Sequence, residues 1–325
     1  MKKTILAMVC LLQVLISVLA LFACGKEKKQ KVTVNYSKGN YVAATSIIIR
    51  HEGLFEKYLP SDVTVEWVNI QTGPEIRDAM LTGTIDIASP ALITTITSLE
   101  NGIPFRLISF SSSTPTKLYA RDEFIKSIHD LDPSMRISLT NLSTNLHISF
   151  LAYCQEVLGD SNALADALVS MPNAEALAAL TSGSGIDASI FTFSTNMKAE
   201  SEESLHMIAD MTDVTREYGI GSAYIVTESF YKENPDIISA FIKAQNEAVS
   251  LILSRPDYAA NILIEEGLDT DSDTLVKVIA EMPPSPRLTP DMFNRQAMLL
   301  FNAGILSKEP RKLEDYDFFE ALRQH

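Results

Sequence analysis

The amino-acid sequence predicts an α/β fold made of two lobes, each built on a mainly parallel sheet. Three observations carry this. Short segments with the two-residue alternation of a strand take turns with amphipathic segments of helical period, the order that writes a parallel sheet covered on both faces. A helix–glycine–strand pattern occurs twice, about 100 residues apart. The chain of 325 residues has room for two domains of about 100–200 residues each.

Val32-Thr33-Val34-Asn35-Tyr36 alternates apolar and polar residues and reads as the first strand. A helical run over residues 41–58, interrupted near Gly53, follows it. Residues 63–68 alternate again, Gly73-Pro74 opens a helix to Leu81, residues 85–88 form a short buried strand, and residues 91–99 a further helix. Residues 105–110 and 117–120 read as strands, and residues 136–139 open a second set. Helices over residues 143–158 and 174–180 and a strand over residues 188–193 supply that set. Tyr224-Ile225-Val226 reads as a strand returning to the first lobe. From Asn234 onward the pattern is helical; Ile237, Ile238, Phe241, Ile242, Ala248 and Ile252 mark one long apolar face. That helix should stop at Arg255, because Pro256 disfavours helical geometry in the residue before it.

The repeated pattern is Ala79-Met80-Leu81-Thr82-Gly83-Thr84-Ile85-Asp86 against Leu177 to Asp187. It suggests two lobes on one plan. The plainer alternative is that any helix-to-strand turn closed by glycine is written this way.

The chain begins as an export signal does. Met1-Lys2-Lys3 is basic, and residues 5–23 are apolar apart from Gln13 and Ser17. Leu21-Phe22-Ala23-Cys24 resembles a bacterial lipobox, which implies acylation of Cys24 and cleavage before it. The alternative is a retained anchor, since 19 apolar residues can span a bilayer. Lys26, Lys28, Lys29 and Lys31 on the exported side disfavour it. Loss of Lys2 and Lys3 with the signal takes the formal charge from −14 to −16, a balance that repels nucleic acid and anionic lipid. Residues 24–31 read as a flexible tether with nothing to bury. Of three cysteines, Cys10 leaves with the signal and Cys24 would carry lipid, so Cys154 has no disulfide partner and reads as a small buried hydrophobe.

A family resemblance becomes specific along an ordered series. Tyr36-Ser37-Lys38-Gly39 is followed by Glu52-Gly53-Leu54-Phe55, Val65-Glu66-Trp67-Val68, Thr72-Gly73-Pro74-Glu75 and the segment from Ala79 to Ile87. Asp130-Leu131, residues 176–180, Ile186-Asp187-Ala188 and Asn234-Pro235 come later. Over about residues 32–320 the chain resembles the periplasmic component of ABC importers for nitrate, sulfonate and taurine, a family that includes binding proteins for thiamine-precursor pyrimidines. The resemblance implies a type II periplasmic-binding fold, monomeric, with residues 1–23 as signal peptide. Residues 32–114 and 222–325 would form lobe 1 and residues 115–221 lobe 2, joined by two crossover strands near Thr114–Leu118 and Gly219–Tyr224. It also implies a small-molecule ligand in the interlobe cleft, no cofactor or metal, and an ABC permease and ATPase as partners. Its place would be the cell membrane, lipid-anchored and extracytoplasmic.

Four loops carry over by position: Gly39, Asn40 and Tyr41 after the first strand; Ser89 before Pro90; Ser111, Ser112 and Ser113 at the end of the 105–110 strand; and Ser143, Thr144 and Asn145 at a helix start of lobe 2. Open α/β sheets bind ligands at the carboxyl edge of their strands, and helix N-termini favour anions. Helix capping alone would also place serine, threonine and asparagine there. Three departures from the family pattern weaken a purely sulfonate reading: Leu142 where a glycine is common, neither tryptophan nor proline after Asp187, and Ala88, Pro90 and Ala91 in place of glycines near Ser89. They bring in a pyrimidine or other heterocycle stacked by Tyr41, Phe191 or Phe193 as a competing ligand. Catalysis finds no motif: the five histidines form no metal-spaced pair, no Gly-x-Ser-x-Gly elbow occurs, and a single unlipidated thiol, Cys154, counts against the cysteine-rich chemistry of the pyrimidine-synthesising relative. The alternatives are a sensor or adhesin lipoprotein on the same fold and, behind it, a pyrimidine-synthesising enzyme.

Overall fold

A computed structural model describes residues 30–142 and 144–323, with Ser112, Ser194 and Ala321 described by backbone alone. The signal segment, Cys24 and most of the tether therefore lie outside the described residues. Strand β1 (Gln30–Tyr36) begins two residues before the alternation in the sequence placed it. Gln30 and Lys31 pair with Val63 and Thr64, so the last two residues assigned to the tether are strand, and Lys31 also reaches Glu66 at 2.5 Å.

Two five-stranded sheets organise the chain. The first runs β2 (Val63–Asn69), β1, β3 (Ile87–Ala88), β10 (Ser222–Thr227), β4 (Phe105–Ser112). The second runs β7 (Leu168–Ser170), β6 (Ile137–Leu139), β8 (Ala188–Thr192), β5 (Thr116–Ala120), β9 (His206–Asp210). In the first, β1 is parallel to β2 and β3, and only β10 runs antiparallel to its neighbours. In the second, β6 is parallel to β7 and β8, and β5 is antiparallel to β8 and β9. The chain leaves the first sheet after Ser112, enters the second at Thr116, and returns at Ser222 as a strand of the first sheet. Strands β7 and β9 are not expected from sequence pattern. β7 has only three residues, and β9, an edge strand, buries the adjacent pair Ile208 and Ala209 rather than alternate residues.

Helices α1 (Ala44–His51), α2 (Leu54–Tyr58) and α10 (Pro235–Ser254) cover one face of the first sheet through Ile47, Phe55, Phe241 and Ile252, all fully buried. Phe241 packs edge-on against Phe55 and Tyr224. α10 ends at Ser254 and Pro256 opens α11 (Pro256–Glu265), as the proline requires. Helix α5 (Asn145–Leu158) has two employments. Phe150 and Cys154 face the core of the second sheet. Ile148, Leu151 and Ala152 join a cluster holding Ile220 and Leu300, the latter on α13 (Pro290–Asn302). One apolar cluster thus spans both halves of the molecule. Cys154 is fully buried, and burial pushes its thiol up to about 12.

The repeated sequence pattern corresponds to one repeated structure. Helix α3 (Gly73–Leu81) and helix α6 (Asn173–Ser182) each close just before a left-handed glycine, Gly83 and Gly183. The following aspartate then clamps a neighbouring strand, β1 in the first sheet and the residue leading into β6 in the second. Asp86 N donates to Thr33 O at 2.9 Å and Thr33 N to the Asp86 carboxylate at 2.8 Å. Asp187 N donates to Arg136 O at 2.9 Å and Arg136 N to the Asp187 carboxylate at 2.8 Å.

Burial raises the Asp86 carboxyl above 3.8, against the pull of its bond from Thr33 N. A carboxyl raised on folding contributes stability that is fully present below 3.8 and is lost as pH rises through the raised value. Asp86→Asn keeps an acceptor for Thr33 N and cannot ionise. Its melting temperature should therefore lack the wild-type decline over that window; parallel pH profiles for the two proteins would show that Asp86 titrates normally.

Candidate functional site

A cavity of about 610 Å³ lies where the two sheets meet at their strands' carboxyl ends. Its wall is made by strand-to-helix junctions. From the first sheet come Asn40 before the short 3-10 helix Tyr41–Ala43 that runs into α1, the start of α3 at Thr72-Gly73-Pro74, and Pro90-Ala91 before α4 (Leu92–Glu100). From the second come Thr144-Asn145 at the start of α5, Asn173 at the start of α6, and Thr192-Phe193 at the start of α7 (Phe193–Glu200). Six helix N-termini therefore converge on one space, and none of the described residues that line it carries a formal charge.

Two of the six starts use a side chain as cap: Asn40 accepts from Val42 N at 3.2 Å and Thr72 from Glu75 N at 3.4 Å. The starts of α4, α5, α6 and α7 have no side-chain cap bond. The first N–H groups of a helix lack intrahelical partners and sit at the positive end of its dipole. An uncapped start facing a cavity offers those still unpaired to whatever enters, although at α4 the first of them, Leu92 N, already donates to Gly221 O at 2.8 Å. Gly73 allows α3 to begin this close to α4, since a Cβ there would lie 2.6 Å from Thr94 Oγ1.

The expected site residues divide clearly. Gly39, Asn40, Tyr41, Ser89, Thr144 and Asn145 all line the cavity. Ser89 Oγ and Asn145 Oδ1 are buried without a hydrogen-bond partner. Thr144, the residue before α5, spends its hydroxyl on Asn141 O at 2.8 Å rather than on a cap. Ser143 lies outside the described residues. Ser112 is described only as the last residue of β4, paired with Ser222. Ser111 and Ser113 are buried elsewhere: Ser111 donates to Val42 O at 3.3 Å, and Ser113 to Ile220 O, tying the outgoing crossover to the returning one. Thr114 lines the cavity in their place.

Phe191 is a second correction. Its side chain is fully buried in a cluster with Tyr119, Ala176 and Leu180 behind the sheet. The strand expected to reach Phe193 ends at Thr192, and Phe193 opens α7 with φ of 53°. That left-handed conformation costs a non-glycine residue about 1–2 kcal/mol. It delivers the Phe193 ring to the cavity, where it stacks on Tyr41 of the other half with centroids 5.5 Å apart and planes at 27°. Tyr41 is buried, its hydroxyl donates to Met282 O at 3.4 Å, and burial raises its pKa. Gln71, Thr72, Asn141, Asn173 and Thr192 line the cavity without having been expected there. The rule that places Ser89 would find four of them if applied to every strand-to-helix junction, but Asn173 follows β7, which sequence pattern does not reveal.

Behind the cavity, charged groups join the halves. Lys117 Nζ lies 3.0 Å from both Glu200 on α7 and Glu281 on α12 (Ser272–Glu281). Arg295 on α13 lies 3.1 Å from Glu156 and 3.0 Å from Glu217. Among the described residues no group of three or more His, Cys, Asp or Glu could hold a metal ion, and no helix is long and apolar enough to cross a membrane.

The family model described as NMT1/THI5 like matches residues 51–259, so the chain belongs to that family. Solved structures share the fold at low identity. The periplasmic aliphatic sulphonate binding protein SsuA of Escherichia coli is 18% identical, covers 91% of this chain and 96% of its own, and has a TM-score of 0.72. A putative sulfonate ABC transporter's periplasmic SsuA from Methylobacillus flagellatus gives 17%, 91%, 95% and 0.72. The alkanesulfonate-binding SsuA of Xanthomonas axonopodis pv. citri, bound to MOPS, gives 16%, 86%, 95% and 0.66. No curated protein sequence matches the chain. The two-lobe α/β architecture is thus that of the periplasmic binding proteins, as the resemblance implied.

The strain at Phe193 is open to measurement. Phe193→Ala and Phe193→Gly both lose the contact with Tyr41, but only glycine relieves the positive φ. The glycine variant should be the more stable by about 1 kcal/mol in denaturant unfolding. The reverse order would mean that residue 193 relaxes out of the left-handed region.

Proposed function

We propose that this member of the NMT1/THI5-like family is the solute-binding component of an ABC importer, held outside the cytoplasm by lipid on Cys24, and that its ligand is a small organic monoanion of the sulfonate class. The observation that carries the reading is the convergence of six helix N-termini on a cavity lined by no charged side chain. Partial positive charge from backbone N–H groups suits one oxyanion. With no lysine or arginine in the described lining, a more highly charged anion would lack compensation for its lost hydration.

The orphaned oxygens support the same reading. Buried polar groups without partners are rare in folded proteins, and two residues of the lining, one from each half, carry one: Ser89 Oγ and Asn145 Oδ1. On rotating into the cavity, the Ser89 hydroxyl can donate to an oxyanion, and the Asn145 amide can present its NH₂ while its oxygen takes a ligand hydroxyl or bound water. The three solved relatives named above include proteins described as binding aliphatic sulphonate or alkanesulfonate. The described lining contains no Cys, His, Asp or Glu to act as nucleophile or general base, which favours capture over chemistry. A heterocycle keeps one observation in its favour, the Tyr41–Phe193 stack; the two rings already cover each other, so such a ligand would have to part them. Neighbouring permease and ATPase genes distinguish an importer component from a sensor or adhesin.

Because the start of α5 has no side-chain cap bond to lose, Asn145→Ala should leave the melting temperature unchanged. The same substitution, and Ser89→Ala, should each weaken ligand binding by about 1–3 kcal/mol in calorimetric titration. Lower stability with intact affinity would assign these residues to the fold and not to the ligand.

The lipid anchor is tested separately. Cys24→Ser should abolish metabolic labelling with radioactive palmitate and leave the precursor uncleaved. Normal labelling of that variant would rule out Cys24 as the acceptor.

A further inference from the structure

We propose that a second chamber, on the far side of Phe193, receives the tail of the ligand, which makes the ligand an elongated organic monoanion whose distal end is uncharged or cationic. The proposal rests on reading the inner cavity as the oxyanion site. The far chamber, about 680 Å³, shares Gly39, Asn173, Phe193 and Thr195 with the inner one. Phe193 is therefore a wall common to both. Its ring is fixed there by a positive backbone angle from its own strand-to-helix turn and by the face of Tyr41 from the opposite half. The ring also packs against the core of the first sheet, and backbone strain of this kind clusters at ligand sites.

The two chambers differ in chemistry. The inner one is uncharged and divides its lining about evenly between polar and apolar surface, and the far one is the more apolar of the two. The far one is floored by α6, where Ala174, Leu177, Ala178 and Thr181 follow at intervals of three, one and three, the spacing of one helical face. Ala174 and Ala178 are exposed, and Thr181 Oγ1 is buried with no partner. At the rim stand Lys198, Glu202 and Asp269, one cation against two carboxylates. A head group held at the helix starts would send its chain past the Phe193 ring onto the alanine–leucine face. There apolar carbons gain by leaving water. A second anion at the far end would meet Glu202 and Asp269 with only Lys198 to offset them; a neutral or cationic end would not.

Calorimetric titration of the full-length protein in a sulfonate-free buffer, with ethanesulfonate, hexanesulfonate and hexane-1,6-disulfonate, tests this. Hexanesulfonate should bind at least about tenfold more tightly than ethanesulfonate, and the disulfonate should lose that gain. Ala178→Phe sets a ring over the alanine–leucine face of α6 from an exposed helical position and obstructs the tail's path. It should abolish the hexane-over-ethane preference and leave ethanesulfonate affinity unchanged. Ala174→Phe, one turn earlier, repeats the test if the first variant does not fold. Equal affinity for the two monosulfonates, or a preference that survives in the Ala178→Phe variant, overturns the tail subsite and leaves the oxyanion reading standing. A disulfonate as tight as hexanesulfonate overturns the assignment of the distal end. Failure of the wild type to bind either monosulfonate overturns the oxyanion reading, and the tail assignment falls with it.

Discussion

The constraint on which the rest of this structure depends is that a helix following a parallel strand must begin at the strand's carboxyl edge. Each of the two sheets places three such beginnings along one edge, and the edges face each other across one cavity. A helix start carries about half a unit of positive charge. Six of them gathered around an uncharged lining make a field no single side chain supplies. Much of the local sequence at this wall serves that approach. Gly73 gives α3 and α4 room to begin side by side, and the starts of α4 to α7 are left without side-chain caps.

The same constraint separates the pocket's electrostatics from those of the whole molecule. The chain has a formal charge of −14, yet the described lining of the inner cavity has none. Surface carboxylates more than about 10 Å away are largely screened in salt, while backbone dipoles at the wall act at contact distance. An acidic protein can therefore hold an anion.

What joins the two halves is mixed in strength. The ion pairs of Lys117 and Arg295 are partly exposed on their acidic sides, and such pairs each contribute little. The apolar seam holds the halves more firmly, because its side chains are removed from water altogether. α5 lends Phe150 and Cys154 to the second sheet and Ile148, Leu151 and Ala152 to the cluster around Leu300, so it belongs to two cores at once. Ser113 and Ile220, bonded across the two crossovers, lie beside this seam. A ligand that changes the angle between the halves acts on these contacts, and the Tyr41–Phe193 stack is where the cavity itself meets them.

Sequence alone determined what depends on period and on local backbone chemistry. The alternation of Val32 to Tyr36 and of Val63 to Val68, the glycines after α3 and α6, and the stop at Pro256 each act within a few residues, so each was legible. Six residues of the cavity lining, from Gly39 to Asn145, were legible too, because a strand-to-helix junction announces itself by its cap-forming residues. Tertiary structure decided the rest. Strand β9 is a strand because β5 offers it an edge, not because its own side chains alternate. Ser113 caps no pocket because Ile220 O, more than 100 residues on, claims its hydroxyl. Phe191 and Phe193 are two residues apart and chemically alike. Only the end of β8 at Thr192, with the left-handed turn after it, sends the first ring into the core and the second into the cleft.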